Sequence, residues 1–426
     1  MPSNPRAEVP PMPPTIPQEI VRLAALPGTR AALAWLRAEE SQFASWQLEM
    51  ARIPAPPFGE AARAAWLQER FRALELEDVH TDEMGNVFGT CWNHGKHPAK
   101  AQPYTALSAH IDTVFPAGTP LNIRQQGNRL YGPGVSDNGA GAAALLAVAA
   151  ALRAAKVALA TPILFIGNVG EEGEGDLRGM RHIFSHARWK DSIRHSLVLD
   201  GAGSDTIVSE ALGSRRFEVI VRGPGGHSWS DFGVPNPIVV LARTIQAFSQ
   251  TPLPSSPKTT FNVGVIRGGT SVNSIPESAS MRVDIRSTSM AEMERLEAAL
   301  RWALDKAIEE ESQASERHTS SPRRTSGLSC EIVPIGNRPA GELDGNARIL
   351  KVIRAVDAHL GNAAQIQRAS TDANIPLSLG REAIAIGGGG VGGGAHTLQE
   401  WFDCSGRALG LKRILLTVLA LAGVAE

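Results

Sequence analysis

Five short segments set polar side chains where apolar runs break off, and their residue types are those that hold divalent cations. His110 and Asp112 close the β-rich run 104–109, and in an extended strand residues two apart face the same side. A carboxylate there can fix the tautomer of the imidazole and raise its basicity toward a metal, although a hydrogen-bonded buried histidine has the same pattern. Asp137 lies in the glycine-crowded run 132–141 ahead of a very apolar helix, where it reads as a helix cap or as a carboxylate bridging two ions. That run lacks the Lys-Ser/Thr pair of a phosphate-binding loop. Glu171 and Glu172 follow the buried strand 162–167, where adjacent carboxylates repel unless a cation or solvent offsets them. Asp200 ends the apolar strand 196–199 abruptly, and the tract 387–394, seven glycines in eight residues, leads into His396. Glycines let backbone groups approach a ligand closely. Two imidazoles and several carboxylates together suit zinc or another first-row divalent ion.

The rest of the chain must bring these segments together. At 426 residues it exceeds one ordinary core, so two domains are expected. Lys+Arg of 42 against Asp+Glu of 43 leaves a net charge of -1, which gives no field to recruit nucleic acid or an anionic membrane and points to a small-molecule partner. Cys91, Cys330 and Cys404 form no close pair, as expected of a chain in a reducing cytosol. Residues 1–27 are Pro-rich and read as a loose leader, without the apolar stretch of a secretory signal. The most apolar segment, 414–425, is shorter than the roughly 20 residues a membrane span needs and reads as a buried C-terminal helix.

Helical spacing over 28–73, broken by prolines at 54, 56 and 57, predicts two helices and a turn. Strands near 86–91, 104–109, 162–167 and 196–199 then alternate with helices near 141–155 and 179–186, the pattern of an α/β layer with a mostly parallel sheet flanked by helices. From residue 215 the texture changes to strand, helix, two strands and a long amphipathic helix over 290–311. The polar stretch 313–327 reads as a mobile loop before a further strand at 328–335, and a helix at 347–360 resumes the first pattern. This divides the chain into a larger discontinuous domain, 1–213 and 338–426, interrupted by a smaller α+β domain at 214–337.

The ordered set of His110-x-Asp112, Asp137, Glu171-Glu172, Asp200 and His396 resembles the M20 metallopeptidase family, and the likeness runs from about residue 48 onward. The resemblance implies a ferredoxin-like lid and dimerisation domain in the insert and a homodimer formed through it. It implies two divalent ions, most often zinc, with cobalt or manganese as alternatives. His110 and Asp200 would hold one ion, Glu172 and His396 the other, and Asp137 would bridge them. Asp112 would orient His110, and Glu171 would be the general base that carries a proton from the bridging water to the leaving amine. In the lid, His227 after Gly223-Pro224-Gly225-Gly226, Asn273 and Arg286 resemble residues that meet the substrate, and an arginine fork suits a carboxylate. The family resemblance further implies hydrolysis of amide bonds in short peptides. Asp200, where relatives that remove acyl groups carry Glu, favours a di- or tripeptidase, perhaps acting as an aminopeptidase, over an N-acyl amino acid deacylase or a carboxypeptidase. A silent metal- or peptide-binding module is the reading from another class. The chain departs from the family pattern after Asp137, where Asn138-Gly139-Ala140-Gly141 stands in place of an Asp or Met followed by Lys-Gly.

Overall fold

The uninterrupted apolar runs become parallel strands. In the computed structural model, which describes residues 14–92, 103–186, 188–318 and 327–425, the strands Ile163–Asn168, Tyr104–His110, Ile193–Leu199 and Glu382–Ile386 lie side by side in that order, each pair parallel. Nearly all their residues are buried, as strands covered on both faces must be. Val87–Cys91 and Glu77–Thr81 extend one side antiparallel. Thr206–Ala211, Gly341–Glu342 and Gln365–Ala369 complete the other side with both senses of pairing. The sheet is therefore parallel at its centre and mixed at its margins. Helix Gly139–Ala154 is buried almost all round, which its run of alanines and leucines predicts. It packs against helices Glu40–Ala51, Pro27–Ala38 and Arg407–Ala422.

The segment between strands Gly213–Arg222 and Ser329–Arg338 builds its own four-stranded antiparallel sheet, with Thr259–Gly268 at one edge beside Ser278–Ser287. Helices Pro237–Ser249 and Met290–His318 pack on it around a separate apolar cluster that includes Phe217, Val219, Leu241 and Leu300. The order strand, helix, two strands, helix, strand is the split βαβ arrangement of a ferredoxin-like unit.

Three expectations need correction. The leader is not loose over its whole length, because Ile16–Ala25 is a helix. Thr15 and Gln18 close a capping box at its start, and Ile20 and Leu23 are buried in the main core. The prolines within 1–13 lie outside the described residues. Residues 28–73 hold not two helices but most of three, Pro27–Ala38, Glu40–Ala51 and Ala61–Ala73, the first two separated by Glu39 alone. The stretch from 313 is not all loop, since the long helix continues to His318. Its Glu, Gln, Ala and Arg are good helix formers, and Glu311 and Ser315, four residues apart, turn one polar face inward. Residues 319–326 lie outside the described part.

Candidate metal centre

The four central parallel strands end on one edge of the sheet, which is where an open α/β sheet offers a crevice. His110 is the last residue of its strand, Asp200 follows Leu199, and Glu171 and Glu172 stand just beyond Asn168. The glycine tract runs on from Ile386. A fold element absent from the sequence reading brings in the rest: a small antiparallel sheet of Arg124–Gln126, Arg129–Tyr131, Trp401–Asp403 and Val391–Gly393. Asp137 leaves this sheet after Tyr131, and His396 lies in the connection between its last two strands.

The predicted ligands converge. Asp137 Oδ1 lies 3.2 Å from His110 Nε2, and Asp137 Oδ2 lies 3.0 Å from His396 Nε2. His110 Nε2 is also 3.8 Å from Asp200 Oδ1, and His396 Nε2 is 3.2 Å from Glu172 Oε1. One carboxylate thus faces a different imidazole with each oxygen, the layout of a bridging ligand between two ions. Asp137 Oδ1 is buried and forms no well-aligned hydrogen bond among the described residues, its contact being the His110 imidazole at 3.2 Å, and such an under-satisfied group needs an explanation. A divalent cation accounts for it, and the nitrogen and oxygen donor set suits one. His110, Asp137 and Glu172 bring their ligand atoms within 4.8 Å of one another.

The electrostatics of the protein without ions agree with that reading. Burial, then the charge of Glu171, pushes Glu172 up to about 8. Burial works against protonating His110, but Asp112, Asp137 and Asp200 outweigh it and hold the imidazole well above its ordinary value. Hydrogen bonding to Asp137 leads the causes that push His396 up to about 9. Burial disfavours ionised Asp137, yet His110 and His396 together hold it well below the usual carboxylate range. At neutral pH both imidazoles and Glu172 therefore carry protons that a cation must displace. Metal affinity should rise steeply with pH between about 6 and 9, and calorimetry in buffers of different ionisation enthalpy should register protons released on binding. An affinity flat across that range would contradict the arrangement.

Asp112 does more than the orienting role expected of it. Its Oδ1 sits 3.7 Å from His110 Nδ1, but the carboxylate also accepts the backbone N–H of Glu171 at 3.1 Å and of Glu172 at 2.8 Å. It fixes both the imidazole and the loop that carries the paired glutamates. Asn138, the departure from the family pattern, caps helix Gly139–Ala154 through Gly141 N–H. Its amide also donates to Leu199 C=O at 2.8 Å and accepts from Gly201 N–H at 3.0 Å, bracketing Asp200 on both sides. Gly141 must lack a Cβ here, since one would sit 2.8 Å from the Leu199 carbonyl oxygen.

Glu171 pairs with an arginine rather than with either imidazole. Its Oε1 accepts from Arg338 Nη1 at 2.8 Å, and its backbone carbonyl accepts from Arg338 Nη2. Burial dominates and pushes the carboxyl up to about 7, against the pull of Arg338. Arg338, itself buried, ends the strand returning from the smaller unit and was not foreseen. Nor was Asp372, wholly buried, whose Oδ2 accepts from Asn168 at 2.6 Å while Oδ1 has no partner among the described residues. Burial and nearby Glu171 raise its carboxyl well above the ordinary value. Glu400 was also missed. It is fully buried and accepts the backbone N–H groups of Gly134, Ser136 and Asp137, each at 2.7 Å.

A cavity of about 570 Å³ opens over this centre, lined by Asp137, Glu171, Glu172, Asp200 and His396 and also by Arg216, Arg286 and Arg338. Arg216 and Arg286 both pair with Asp284, at 3.1 and 2.7 Å. His227 and Asn273 do not line it. They sit together on the smaller unit, where His227 is opposite Ser274 and Ser228 N–H donates to the Asn273 carbonyl.

A mixed α/β sheet with two imidazoles around a shared carboxylate defines a candidate dinuclear metal hydrolase. The chain belongs to the peptidase family M20/M25/M40, whose model matches residues 106–420. A probable carboxypeptidase of Ajellomyces dermatitidis is 32% identical over 232 residues, covering 50% of this chain and 51% of that protein. The chain thus spans about half the length of the curated relatives it matches. The crystal structure of the aminopeptidase PepT from Bacillus cereus superposes with a TM-score of 0.69 at 19% identity, covering 90% of this chain and 99% of that one. A Staphylococcus aureus tripeptidase gives 0.69 at 21%, covering 90% and 98%. A Bacillus subtilis dinuclear metal-binding M20 peptidase gives 0.64 at 15%, covering 91% and 99%.

Proposed function

We propose that this chain hydrolyses amide bonds of short peptides, as a di- or tripeptidase, using two divalent ions, most readily zinc. The observation that carries this reading is Asp137 set between His110 and His396, beside a glutamate, Glu171, that is hydrogen-bonded to Arg338. In the proposal His110 and Asp200 hold one ion, Glu172 and His396 hold the other, and Asp137 bridges. When bound, such ions supply Lewis acidity to the amide carbonyl and to water. Glu171, held by Arg338, takes the proton from the attacking water and delivers it to the leaving nitrogen. Asp112 keeps the His110 ring and the Glu171 loop in register. Arg286, with Arg216 beside it, meets a substrate carboxylate, a role its planar fork suits.

Residues 214–337 act as a lid between the two parts of a catalytic domain, 1–213 and 338–426. His227 and Asn273 serve the active site of a second copy rather than their own. Trp229, Phe232 and Val272, 87%, 69% and 103% exposed beside them, support a homodimer formed through this face, and sedimentation at increasing concentration tests it. The three cysteines are free, which suits a reducing cytosol. Among the described residues no helix is long and apolar enough to cross a membrane.

Carboxypeptidase action is the second reading, favoured by the names of the curated relatives. Rates on Ala-Ala-Ala, on the same peptide acetylated at its amino end, and on N-acetyl amino acids, each with added zinc, cobalt or manganese, separate the alternatives. Preference for the free tripeptide supports the proposal. Equal turnover of the acetylated peptide favours carboxypeptidase action, and preference for N-acetyl amino acids makes the protein a deacylase.

A further inference from the structure

Helix Arg178–Ser185 begins directly after the loop of paired glutamates and carries His182, with His186 at its C-cap. Residues four apart share one helix face, and the two rings lie 5.3 Å apart between centroids. The turn around residues 82–86 brings Glu83 against them, with Glu83 Oε1 3.2 Å from His182 Nε2. The ligand atoms of all three residues lie within 4.8 Å of one another. None of the three lines the cavity of the metal centre.

We propose that Glu83, His182 and His186 bind a further divalent transition-metal ion, separate from the centre around Asp137. Zinc-to-nitrogen and zinc-to-oxygen lengths near 2.0–2.1 Å set the edge of a tetrahedral site at about 3.3 Å, so the His182–Glu83 pair already stands at ligand spacing. His186 is exposed and closes the remaining distance by a side-chain rotation. Among the described residues the bond it gives up, if Nδ1 ligates, is a 3.3 Å contact from Arg188 N–H. Two imidazoles and one carboxylate select zinc, nickel or copper over calcium or magnesium, which prefer all-oxygen sites. Three protein ligands leave room for water at this open position.

Asp82 is 3.8 Å from His182 Nε2, but its oxygens already receive Met84 N–H, Asn86 N–H and the Asn86 amide, so it shapes the turn rather than joining the ligands. Through that turn the site reaches the glutamate loop. Asn86 accepts from Val169 N–H and donates to Gly179 C=O, and Arg178 donates to Met84 C=O. An ion joining Glu83 to the histidines would brace the two ends of the segment that bears Glu171 and Glu172.

The test is the zinc content of the full chain after dialysis at about 100 µM free Zn²⁺, which fills sites with Kd below about 10 µM. Wild-type protein should retain about one equivalent more than the His182→Ala, His186→Ala double variant, and Glu83→Gln should weaken that added equivalent about tenfold. The comparison is repeated with Asp137→Asn in both chains, so that a change at the other centre cannot supply the difference. Equal zinc content in folded wild-type and double-variant protein, with the fold checked by circular dichroism, overturns the proposal.

Discussion

Replacing Glu171 by Gln should lower kcat by about 10²–10⁴, the usual share of a positioned general base, while bound metal stays at the wild-type level. In the proposal the carboxylate serves proton transfer rather than ligation, because Arg338 takes one oxygen at 2.8 Å and the loop is pinned from behind by Asp112. Gln keeps the size and an acceptor for Arg338 but cannot take a proton. It also leaves Arg338 a buried cation without its ionised partner, a change that typically removes about 3–5 kcal/mol when a buried pair is broken. Glu171→Asp separates the two effects. It keeps the charge beside Arg338 but withdraws the carboxylate by one methylene, so stability should fall less than in Glu171→Gln while kcat still falls. The pH profile supplies the sign. Only ionised Glu171 accepts a proton, so activity rises with pH through its titration, and cations bound beside it must lower that point from the value of about 7 in their absence. Loss of metal from Glu171→Gln, or turnover near wild type, would remove Glu171 from this role.

Glu400→Ala should weaken metal binding at the candidate centre without altering any of the proposed ligands. Three N–H groups from Gly134, Ser136 and Asp137 lose their acceptor inside a buried pocket, and each unsatisfied group costs about 1–3 kcal/mol. The loop that aims Asp137 between the imidazoles is then free to move, so metal affinity should fall by at least about tenfold, as for other groups that orient ligands. Activity should recover in part at high metal concentration, which distinguishes lost positioning from lost chemistry. Glu400→Gln should be milder, since one oxygen can still serve Ser136 and Asp137, leaving only Gly134 facing an amide NH₂. A Glu400→Ala protein that binds metal as tightly as wild type would show that Glu400 only stabilises the fold.

Asp137 and His396 stood out by the glycine-rich runs beside them, and the other candidate ligands because a charge that ends an apolar run has no packing reason to be there. His110, Glu171-Glu172 and Asp200 all announced themselves in that way, and the alternation of runs yielded the parallel sheet. The residues that hold the ligands were not legible, because their signals belong to ordinary structure. Glu400 sits in a polar connection, Arg338 ends an edge strand where a salt bridge to solvent would look the same, and Asp372 hides in a turn in which Thr371 and Asn374 exchange local hydrogen bonds. The small sheet that joins Asp137 to His396 did leave a trace. Gly127-Asn128 between Arg124–Gln126 and Arg129–Tyr131 is a two-residue hairpin signal, but its strands are three residues long and mostly exposed. The glycine tract was read as permissive of ligand approach. Its larger task is packing, since a Cβ on Gly388 would lie 2.5 Å from the Ala140 carbonyl oxygen and one on Gly410 2.3 Å from Gly389.

The ligands to the proposed pair of ions come from opposite halves of the polypeptide, with Asp137 in the first and His396 near the end. A nascent chain can form the inserted unit and most of the sheet while the centre stays incomplete, until translation delivers the final strands. In the proposal ion capture is also a long-range tether across the molecule, so chelation should loosen the exposed connection around His396 first, and proteolysis would begin there.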